Sequence, residues 1–513
     1  MNMFMNGLVN ANNFTYTENG ALTRRSTKSA LLDLFAMGAA YRTRTDADCI
    51  LLFRNAFDEN PTYALKCLFY IRDVRGGQGE RRFFRTCMRD LATYNTEAAR
   101  RNLKHIPEFG RFDDLYVFEG TPLEKDAFDI LKHQLALDVM SPAPSLLAKW
   151  LKSENTSSKE SRRLATKTRQ YFGMTAKQYR KTLSILRERI NVLERLMSAG
   201  EWDKIEFDTI PSRAGLLYKE AFKNHDLERV EANKEAQTYE DFAKDTTKKV
   251  NAKALYPYEV VHKAVKVMFE DPNGWSYRET RCPLDDTNRL MVNKYWENLA
   301  NYFEGCSLNA LAVVDTSGSM TGEGAAAPIN IATSLGMYCA ERAGGPFAGH
   351  YISFSSRPQL IKVEGVDFCD KVARIYKTNL CENTNIEATF DMLLQTAIDN
   401  HCSQDDIPQN IIVISDLEFD RAQGWRAEMN SRNAETLMEG IARKWAAYGY
   451  QMPKLVYWNV QCRQNNIPQD LGNGRVSYVS GMSPSIFQTI MTGKTGYELM
   501  MAKLNDARYS VIE

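Results

Sequence analysis

Residues 310–320 read Ala-Leu-Ala-Val-Val-Asp-Thr-Ser-Gly-Ser-Met, and this stretch decides which fold the second half of the chain can adopt. A short apolar run that ends abruptly in a carboxylate and hydroxyls is typical of a buried parallel strand. Ligands of open α/β sheets bind where such strands end. We therefore predict a strand that delivers Asp315, Ser317 and Ser319 to a binding loop at its carboxyl end.

The oxygens of these three side chains suit a hard cation. Mg²⁺ takes few carboxylates and keeps several waters, so one carboxylate and two hydroxyls match it better than they match zinc or copper. Gly318 allows the tight turn that the three ligands need. A plainer alternative stays open from this stretch alone, because Asp315 and a serine can simply cap the turn that follows.

Length and composition limit the classes of protein to consider. The 513 residues suffice for two or more domains, and the formal net charge of +1 gives no global reason to expect nucleic-acid or membrane binding. No membrane-length apolar run and no signal-peptide pattern is present, so we expect a soluble, cytoplasmic protein. The ten cysteines form no CxxC pair and the six histidines no Ser/His/Asp arrangement, which argues against a zinc site, a disulfide framework and imidazole catalysis.

The first half of the chain is predicted to be helical. Apolar residues follow a helical spacing from Thr27 onward, and similar patterns recur to about residue 270. Successive short helices without long strands between them indicate helix pairs stacked as a solenoid or a closed ring. The predicted helices span residues 46–55, 60–74, 79–93, 95–104, 122–138, 143–152, 159–171, 175–198, 212–224, 235–246 and 257–270.

The second half alternates strands with helices, which predicts a mostly parallel, doubly wound sheet with helices on both faces. Predicted strands span residues 308–315, 348–354, 359–363, 410–416, 454–460 and 475–480, and predicted helices span 328–342, 367–377, 385–399, 432–448 and 483–504. The fold class is therefore α + α/β. Its predicted parts are an extended arm 1–22, a helical-repeat module 23–285, a connector 286–306 and a sheet domain 307–513.

Two further loops can contribute to the same site. The run 410–416 again ends an apolar strand in an acid, Asp416, whereas Asp405 and Asp406 follow no such strand. Thr384 precedes a predicted helix and adds another hydroxyl, although it can instead be only the N-cap of that helix. The predicted metal ligands are therefore Asp315, Ser317, Ser319, Thr384 and Asp416.

One segment of the helical half, 149–189, is strongly cationic. Its basic side chains far outnumber its acidic ones, which is typical of a surface that contacts phosphates, and nearby aromatic residues can stack on bases. The alternative is a solvated helix face whose aromatic residues point into the core. The candidate RNA-binding residues are Lys159, Arg162, Arg163, Lys167, Arg169 and Arg180.

A glycine-rich turn with clustered arginines occupies residues 72–82. It lacks the Gly-Lys-Ser/Thr of a phosphate loop, so a nucleotide site is not indicated. A helix–helix turn held by ion pairs is the first interpretation, and an arginine or two that reaches RNA is the second.

The residues 315–319, Thr384 and Asp416 resemble the metal-ion-dependent adhesion site of a von Willebrand factor A domain. The resemblance implies that Ser317 and Ser319 bind the cation directly and that Thr384 binds it directly or through water. Asp315 and Asp416 would act largely through waters, which leaves one position for an acidic ligand from a protein partner. The implied cofactor is Mg²⁺ or another divalent cation such as Mn²⁺ or Ca²⁺.

The whole layout is similar to that of the Ro (TROVE) ribonucleoprotein family, in which a ring of HEAT-like helical repeats precedes a von Willebrand A domain. Segment 255–261 resembles that family's junction, while segments 75–81 and 196–202 look closer to an uncharacterised TROVE-related group. This resemblance implies a non-catalytic scaffold that holds single-stranded or small structured RNA and recruits a partner bearing an acidic residue. The alternative is a protein-interaction or assembly component, of a viral or phage particle for example, that works through the metal site without RNA.

Overall fold

The computed structural model describes residues 12–270, 282–305, 308–354, 358–378, 385–420, 436–469 and 474–513. In these ranges a helical first half is followed by a mixed sheet with helices around it. The predicted α + α/β class is confirmed at this level. None of the described helices is long and apolar enough to span a bilayer.

Side-chain caps begin several of the helices in the first half. Ser158 caps the helix that begins at Lys159, and Thr175 forms a capping box with Gln178 at the start of the helix that begins at Ala176. The α-helices are α1 (Ala30–Met37), α2 (Asp46–Glu59), α3 (Pro61–Arg72), α4 (Arg82–Tyr94), α5 (Thr96–Asn102), α6 (Ile106–Phe109), α7 (Glu124–Met140), α8 (Leu147–Trp150), α9 (Lys159–Phe172), α10 (Ala176–Arg189), α11 (Leu193–Ala199), α12 (Ser212–Asn224), α13 (Asp226–Ala232), α14 (Tyr239–Lys244), α15 (Pro257–Met268) and α16 (Thr287–Glu297). Short 3₁₀ helices cover Gly38–Thr43, Leu103–His105, Phe112–Phe118 and Trp202–Lys204.

The sheet lies in the second half and has the order β5-β4-β3-β6-β7-β8. Its strands are β3 (Ala310–Asp315), β4 (His350–Phe354), β5 (Gln359–Lys362), β6 (Asn410–Ser415), β7 (Lys454–Asn459) and β8 (Val476–Ser480). Only the edge strand β5 runs antiparallel within this described sheet, so the predicted mostly parallel arrangement is confirmed. The helices that follow are α17 (Pro328–Arg342), α18 (Phe368–Thr378), α19 (Ile386–Asp399), α20 (Leu437–Ala447), α21 (Ile486–Ile490) and α22 (Gly496–Leu504), with 3₁₀ turns at Gly318–Met320, Gln404–Asp406 and Ala507–Tyr509.

Two of the predicted helices are interrupted, and the predicted helices 143–152 and 235–246 are shorter than expected, at Leu147–Trp150 and Tyr239–Lys244. The predicted helix 175–198 ends at Arg189 and restarts at Leu193, since Asn191 adopts a left-handed φ of 48° that asparagine tolerates better than most residues. The predicted helix 483–504 ends at Ile490 and restarts at Gly496, with Gly493 at a φ of 68° between the two pieces.

Strand β3 is central in the sheet and buried along its whole length. Helix α17 packs closely over it, and a Cβ added at Gly336 would lie 2.4 Å from Cγ2 of Val314. Glycine therefore allows the helix to approach the strand that carries the predicted binding loop. This tight packing holds the carboxyl end of β3 in a rigid setting.

The helical half and the sheet pack directly against each other. Helix α1 lies on β8, where the backbone N–H of Ala39 donates to Oγ of Ser480 at 3.3 Å. Helix α15 packs against α17 and α18. From the C-terminus, Arg508 forms two hydrogen bonds to the buried Asp73 carboxylate, at 2.5 and 2.8 Å. The predicted boundary near 286–306 thus separates two patterns of sequence, while the apolar core continues across it.

The described part of the N-terminal arm is a small hairpin docked on the sheet domain. Its strands β1 (Phe14–Tyr16) and β2 (Leu22–Arg24) are antiparallel. Arg24 then exchanges two backbone hydrogen bonds with Ile467, at 3.2 and 2.8 Å. The arm predicted as extended therefore has a defined place beside the loops at the carboxyl edge of the sheet.

Candidate functional site

The carboxyl edge of the sheet brings together the two predicted carboxylates. Strands β3 and β6 are parallel neighbours with Val314 opposite Ile414, so Asp315 and Asp416 end adjacent strands at the same edge. Asp315 is fully buried; its Oδ1 accepts the backbone N–H of Ser317 at 2.9 Å, and its Oδ2 accepts the hydroxyl of Ser415 at 2.5 Å. The strand register therefore determines where the acids meet.

The predicted serine ligands lie in the same place. The hydroxyl oxygens of Ser317 and Ser319 are 3.0 Å apart, and, against the larger effect of burial, the Ser319 side chain lowers the pKa of Asp416. Oδ1 of Asp416 accepts the backbone N–H of Glu418 at 3.2 Å, whereas its buried Oδ2 has no hydrogen-bond partner among the described residues. Asp315, Ser317, Ser319 and Asp416 thus form one cluster of oxygens.

Both carboxylates titrate abnormally. Burial, and then the neighbouring Asp416 charge, raise the pKa of Asp315 to about 7. Burial also raises the pKa of Asp416, against the opposing effect of its hydrogen-bond donors and of Arg463. Two buried carboxylates that repel each other are poorly compensated, and a divalent cation would relieve that repulsion.

The donor set fits Mg²⁺ by chemical type. A buried carboxylate oxygen that accepts no hydrogen bond within the described ranges sits beside two hydroxyls, which is a hard-oxygen environment. No group of three or more His, Cys, Asp or Glu side chains suited to a metal occurs in the described residues.

The third predicted loop is described only in part. Thr384, the remaining predicted ligand, lies outside the described residues. Asn385, the next residue, caps α19 by accepting the backbone N–H of Ala388 at 3.0 Å. The alternative that Thr384 serves as the N-cap of this helix is therefore wrong, and its role as a metal ligand stays a prediction.

Sequence reasoning missed three side chains at this edge: Ser415, Glu418 and Arg463. Glu418 is fully buried, and burial raises its pKa to about 7. Between it and Asp416, Leu417 adopts a left-handed φ of 63°, a strained conformation for leucine of the kind that concentrates at functional sites. The only sequence signal for Glu418 was its position two residues after Asp416, and Arg463 left no signal at all.

Three of the six predicted RNA-binding residues are already paired with carboxylates. Arg163 and Lys167 contact Glu119 at 2.6 and 2.9 Å, and Arg169 contacts Glu154 at 2.8 Å. Hydrogen bonds from Arg163 are the first cause that lowers the pKa of Glu119 to about 2. Phosphate would have to compete with these acids for the three cations.

The other three predicted residues differ among themselves. Arg162 donates to the carbonyl oxygens of Thr156 at 2.6 Å and Ser157 at 2.9 Å, so it supports the loop before α9. Lys159 and Arg180 are exposed, and neither forms an ion pair with any residue that the structure describes. They are therefore open to an anionic ligand.

A cleft of about 610 Å³ runs beside α10, and we call it the α10 cleft. Its lining includes Lys149, Trp150, Ser153, Tyr179, Arg180 and Arg187. Arg187 donates only to neutral acceptors, namely the carbonyls of Ala148 and Leu151 and the hydroxyl of Ser153, at 2.9 to 3.0 Å. No described carboxylate forms an ion pair with Lys149, Arg180 or Arg187. Glu154 and Glu194 also line the cleft, where basic side chains outnumber acidic ones.

The aromatic residues of this segment mostly serve the core. Tyr179 is fully buried and donates to the carbonyl of Lys152 at 2.8 Å, and Phe172 is also buried. Trp150 is half-buried, with the Arg111 guanidinium 4.1 Å from its ring centroid. The cleft thus offers charges for phosphates and little open surface for base stacking.

The family models that match this chain divide it close to the change in sequence pattern. The model of a domain of unknown function, DUF7788, matches residues 309–508. The uncharacterized protein L728 of Acanthamoeba polyphaga mimivirus is 28% identical over 523 residues, covering 94% of this chain and 85% of that protein. Among solved structures, the crystal structure of the Deinococcus radiodurans Ro (RSR) protein covers 93% of this chain and 99% of its own, with 13% identity and a TM-score of 0.40.

A second family model covers the helical half. The model of another domain of unknown function, DUF2828, matches residues 17–115 and 138–305, which together make up just over half of the chain. This match includes the second strand of the docked hairpin, the arginine-rich turn and the basic helices. The chain belongs to the family defined by the domain of unknown function DUF2828.

Proposed function

We propose that this chain is a non-catalytic scaffold that binds RNA at the α10 cleft and recruits a protein partner through a divalent cation at the carboxyl edge of the sheet. The observation that carries the proposal is the clustering of Asp315, Ser317, Ser319 and Asp416, with a buried carboxylate oxygen that accepts no hydrogen bond from the described residues. The arrangement supports the resemblance to a metal-ion-dependent adhesion site in a von Willebrand A domain.

In this proposal the cation holds a protein partner and takes no part in a chemical reaction. Ser317 and Ser319 would hold it, and Asp315 and Asp416 would balance its charge. The half-buried Ser319 lies where the cluster approaches solvent, and a partner carboxylate would complete the coordination there. The further carboxylate at this edge, Glu418, is fully buried and accepts the backbone N–H of Glu18 at 2.7 Å, so the arm already holds it. We therefore favour recruitment over hydrolysis.

Removing one carboxylate should abolish the stabilisation by metal. At a cation concentration of 100 times Kd, binding to the folded state alone adds about 2.7 kcal/mol to the free energy of unfolding. We expect the wild-type chain to gain stability with MgCl2, MnCl2 or CaCl2, and Asp315→Ala to gain none. Thermal unfolding with and without each salt measures this difference.

The matched control is Asp405→Ala, which removes an exposed carboxylate from the same sheet domain. This variant should respond to the cations as the wild type does. Equal stabilisation of Asp315→Ala and the wild type would rule out the proposed ligand set.

The α10 cleft supports RNA binding through charge. Lys177, Arg180 and Lys181 are exposed on α10, and no carboxylate in the described ranges pairs with them. With Lys149 and Arg187 in the cleft, they form a path of positive charge that can follow a phosphate backbone. This local patch explains how a chain of net charge +1 can bind a polyanion.

RNA binding should weaken steeply with salt. Contact with about four phosphates of a single strand predicts a loss of affinity on the order of 50-fold between about 50 and 200 mM salt. Fluorescence anisotropy with a labelled single-stranded RNA of about 20 nucleotides measures it. We expect the combined variant Lys177→Ala, Arg180→Ala and Lys181→Ala to bind at least about tenfold more weakly, with a shallower salt dependence.

A variant with three exposed lysines of other helices and loops replaced, Lys223→Ala, Lys234→Ala and Lys253→Ala, removes the same formal charge elsewhere. It should bind RNA nearly as the wild type does. If the wild type binds no RNA at low salt, the ion pairs of Arg163, Lys167 and Arg169 are structural, and the chain is a protein-interaction or assembly component that works through the metal site.

A further inference from the structure

Arg463 lies across the cluster of candidate metal ligands. Its Nε is 3.7 Å from Oδ2 of Asp416, the carboxylate oxygen that lacks a hydrogen-bond partner among the described residues. Its Nη2 donates to the backbone carbonyl of Ser319. A permanently charged guanidinium therefore sits against two of the four clustered residues, on the loop that follows β7.

The docked N-terminal hairpin holds Arg463 from the other side. Nη1 of Arg463 is 3.4 Å from Oε2 of Glu18. Glu18 is fixed in turn, because its backbone N–H donates to Oε2 of Glu418 at 2.7 Å. The preceding Thr17 hydroxyl donates to the carbonyl of Phe419 at 2.6 Å. Arg463 thus bridges one acid of the cluster and one acid of the arm.

We propose that Arg463 and the divalent cation compete for Asp416, so that Arg463 sets the affinity of the site and Glu18 receives the guanidinium when the cation takes Asp416. This inference rests on the proposed metal site. The reason is electrostatic: a carboxylate oxygen contacted by a guanidinium is less available to a cation, and a positive charge a few ångströms from the site repels a divalent ion. Glu18, with 39% of its side chain exposed, is the nearest described alternative acceptor for Arg463.

The arrangement also gives a role to the arm. The hairpin contacts Glu418 and Phe419 by hydrogen bonds and carries Glu18 beside Arg463. Residues 17–20 therefore belong to the edge of the sheet where the cation would bind. Arg463 and Glu18 are positioning residues, since neither is proposed to bind the cation itself. Cation binding and the conformation of Arg463 are therefore linked, and each affects the other by the same free energy.

The test replaces Arg463 and measures cation affinity. Titration of the purified full chain with MnCl2, followed by isothermal calorimetry and by thermal unfolding, gives Kd for each variant. We expect Arg463→Gln to bind Mn²⁺ about tenfold more tightly or better than the wild type, because it removes a charge and keeps a polar side chain. Arg463→Lys keeps the charge but loses the fork of donors, and its Kd should fall between the two.

Two further variants sharpen the result. Glu18→Gln removes the negative charge of the alternative acceptor and should weaken Mn²⁺ binding several-fold. Arg374→Gln, which removes an exposed arginine paired with Asp370 on α18, is the matched control and should leave Kd unchanged.

The outcomes separate this inference from the metal site itself. If the wild type binds Mn²⁺, Asp315→Ala does not, and Arg463→Gln binds as the wild type does or more weakly, the competition is refuted while the metal site stands. If no variant binds Mn²⁺, both are refuted. Binding that is measurable only in Arg463→Gln would support the competition most strongly. Should Arg463→Gln fail to fold, Arg463→Lys decides, since a Kd equal to that of the wild type or weaker would contradict the proposal.

Discussion

Replacing Asp114 with alanine is expected to lower the free energy of unfolding by about 3–5 kcal/mol, because it leaves a buried charge without its partner. Asp114 is fully buried, and the side chain of Arg72 is only 2% exposed. Oδ2 of Asp114 accepts Nη2 of Arg72 at 2.7 Å, and Oδ1 accepts Nε of Arg85 at 2.6 Å. Urea unfolding of the wild type and of Asp114→Ala at neutral pH measures the difference.

The control for this prediction is Asp126→Ala. Asp126 pairs with Arg100 at 3.5 Å on the surface, where both side chains are more than 40% exposed. An exposed pair of this kind contributes about 1 kcal/mol or less. A loss in Asp114→Ala no larger than the loss in Asp126→Ala would mean that the buried cluster can relax or admit water after the change.

The same cluster explains what the arginine-rich turn does. Arg72 ends α3 and Arg82 begins α4, so the turn between them joins two helices, and Arg72 is held by Asp114. The interpretation as a helix–helix turn held by ion pairs is confirmed for Arg72. Its partner is 42 residues away along the chain, which is why sequence alone could predict an ion pair but not its carboxylate.

The features that one continuous stretch of sequence determines were the most predictable. The strand that ends at Asp315 and the strand that ends before Asp416 each carry their own signal, an apolar run closed by an acid. Since parallel neighbours end at one edge, two such runs suffice to predict that the two acids meet. The register of β3 and β6 then bears out the prediction at the level of individual residues.

Features that depend on distant partners were not predictable in the same way. Arg463 contacts the carbonyl of Ser319, which is 144 positions away along the chain, and the carboxylate of Glu18, which is 445 positions away. The hairpin near Glu18 docks largely through backbone and hydroxyl groups, which leave no hydropathy pattern. Likewise, the charge of Arg163 was visible in the sequence, while its neutralisation by Glu119, 44 positions away, was not.

In the absence of divalent cations, Asp315→Asn should make the protein more stable than the wild type, and the advantage should grow with pH. The pKa of Asp315 is raised to about 7 by burial and by Asp416, whereas the pKa of an aspartate in an unfolded chain is about 3.9. Between these values the unfolded state has lost a proton that the folded state retains. Rising pH therefore destabilises the fold through Asp315. The contribution of its carboxyl group to the free energy of unfolding is greatest below pH 4 and is lost by pH 7.

Asparagine cannot ionise, so the variant is free of this loss. From pH 5 to pH 7 the advantage of Asp315→Asn should increase by about 2 kcal/mol, and it should change little well above pH 7. Urea unfolding in EDTA at pH 5, 6, 7 and 8 measures it, with the exposed Asp405→Asn as a control that should show no such trend. Parallel pH profiles of the wild type and Asp315→Asn would contradict the raised pKa.

Divalent cations should reverse the order of the two proteins. A cation at this edge favours ionised carboxylates, so its binding to the wild type should release protons below pH 7 and become tighter as pH rises to that value. Asp315→Asn lacks the charge that the cation neutralises and should gain little from MgCl2. At pH 8 the wild type is therefore expected to be the less stable protein in EDTA and to recover that difference as the site fills with Mg²⁺. An Asp315→Asn advantage that persists unchanged in saturating MgCl2, MnCl2 and CaCl2 would show that the buried acids at the ends of β3 and β6 do not bind a divalent cation.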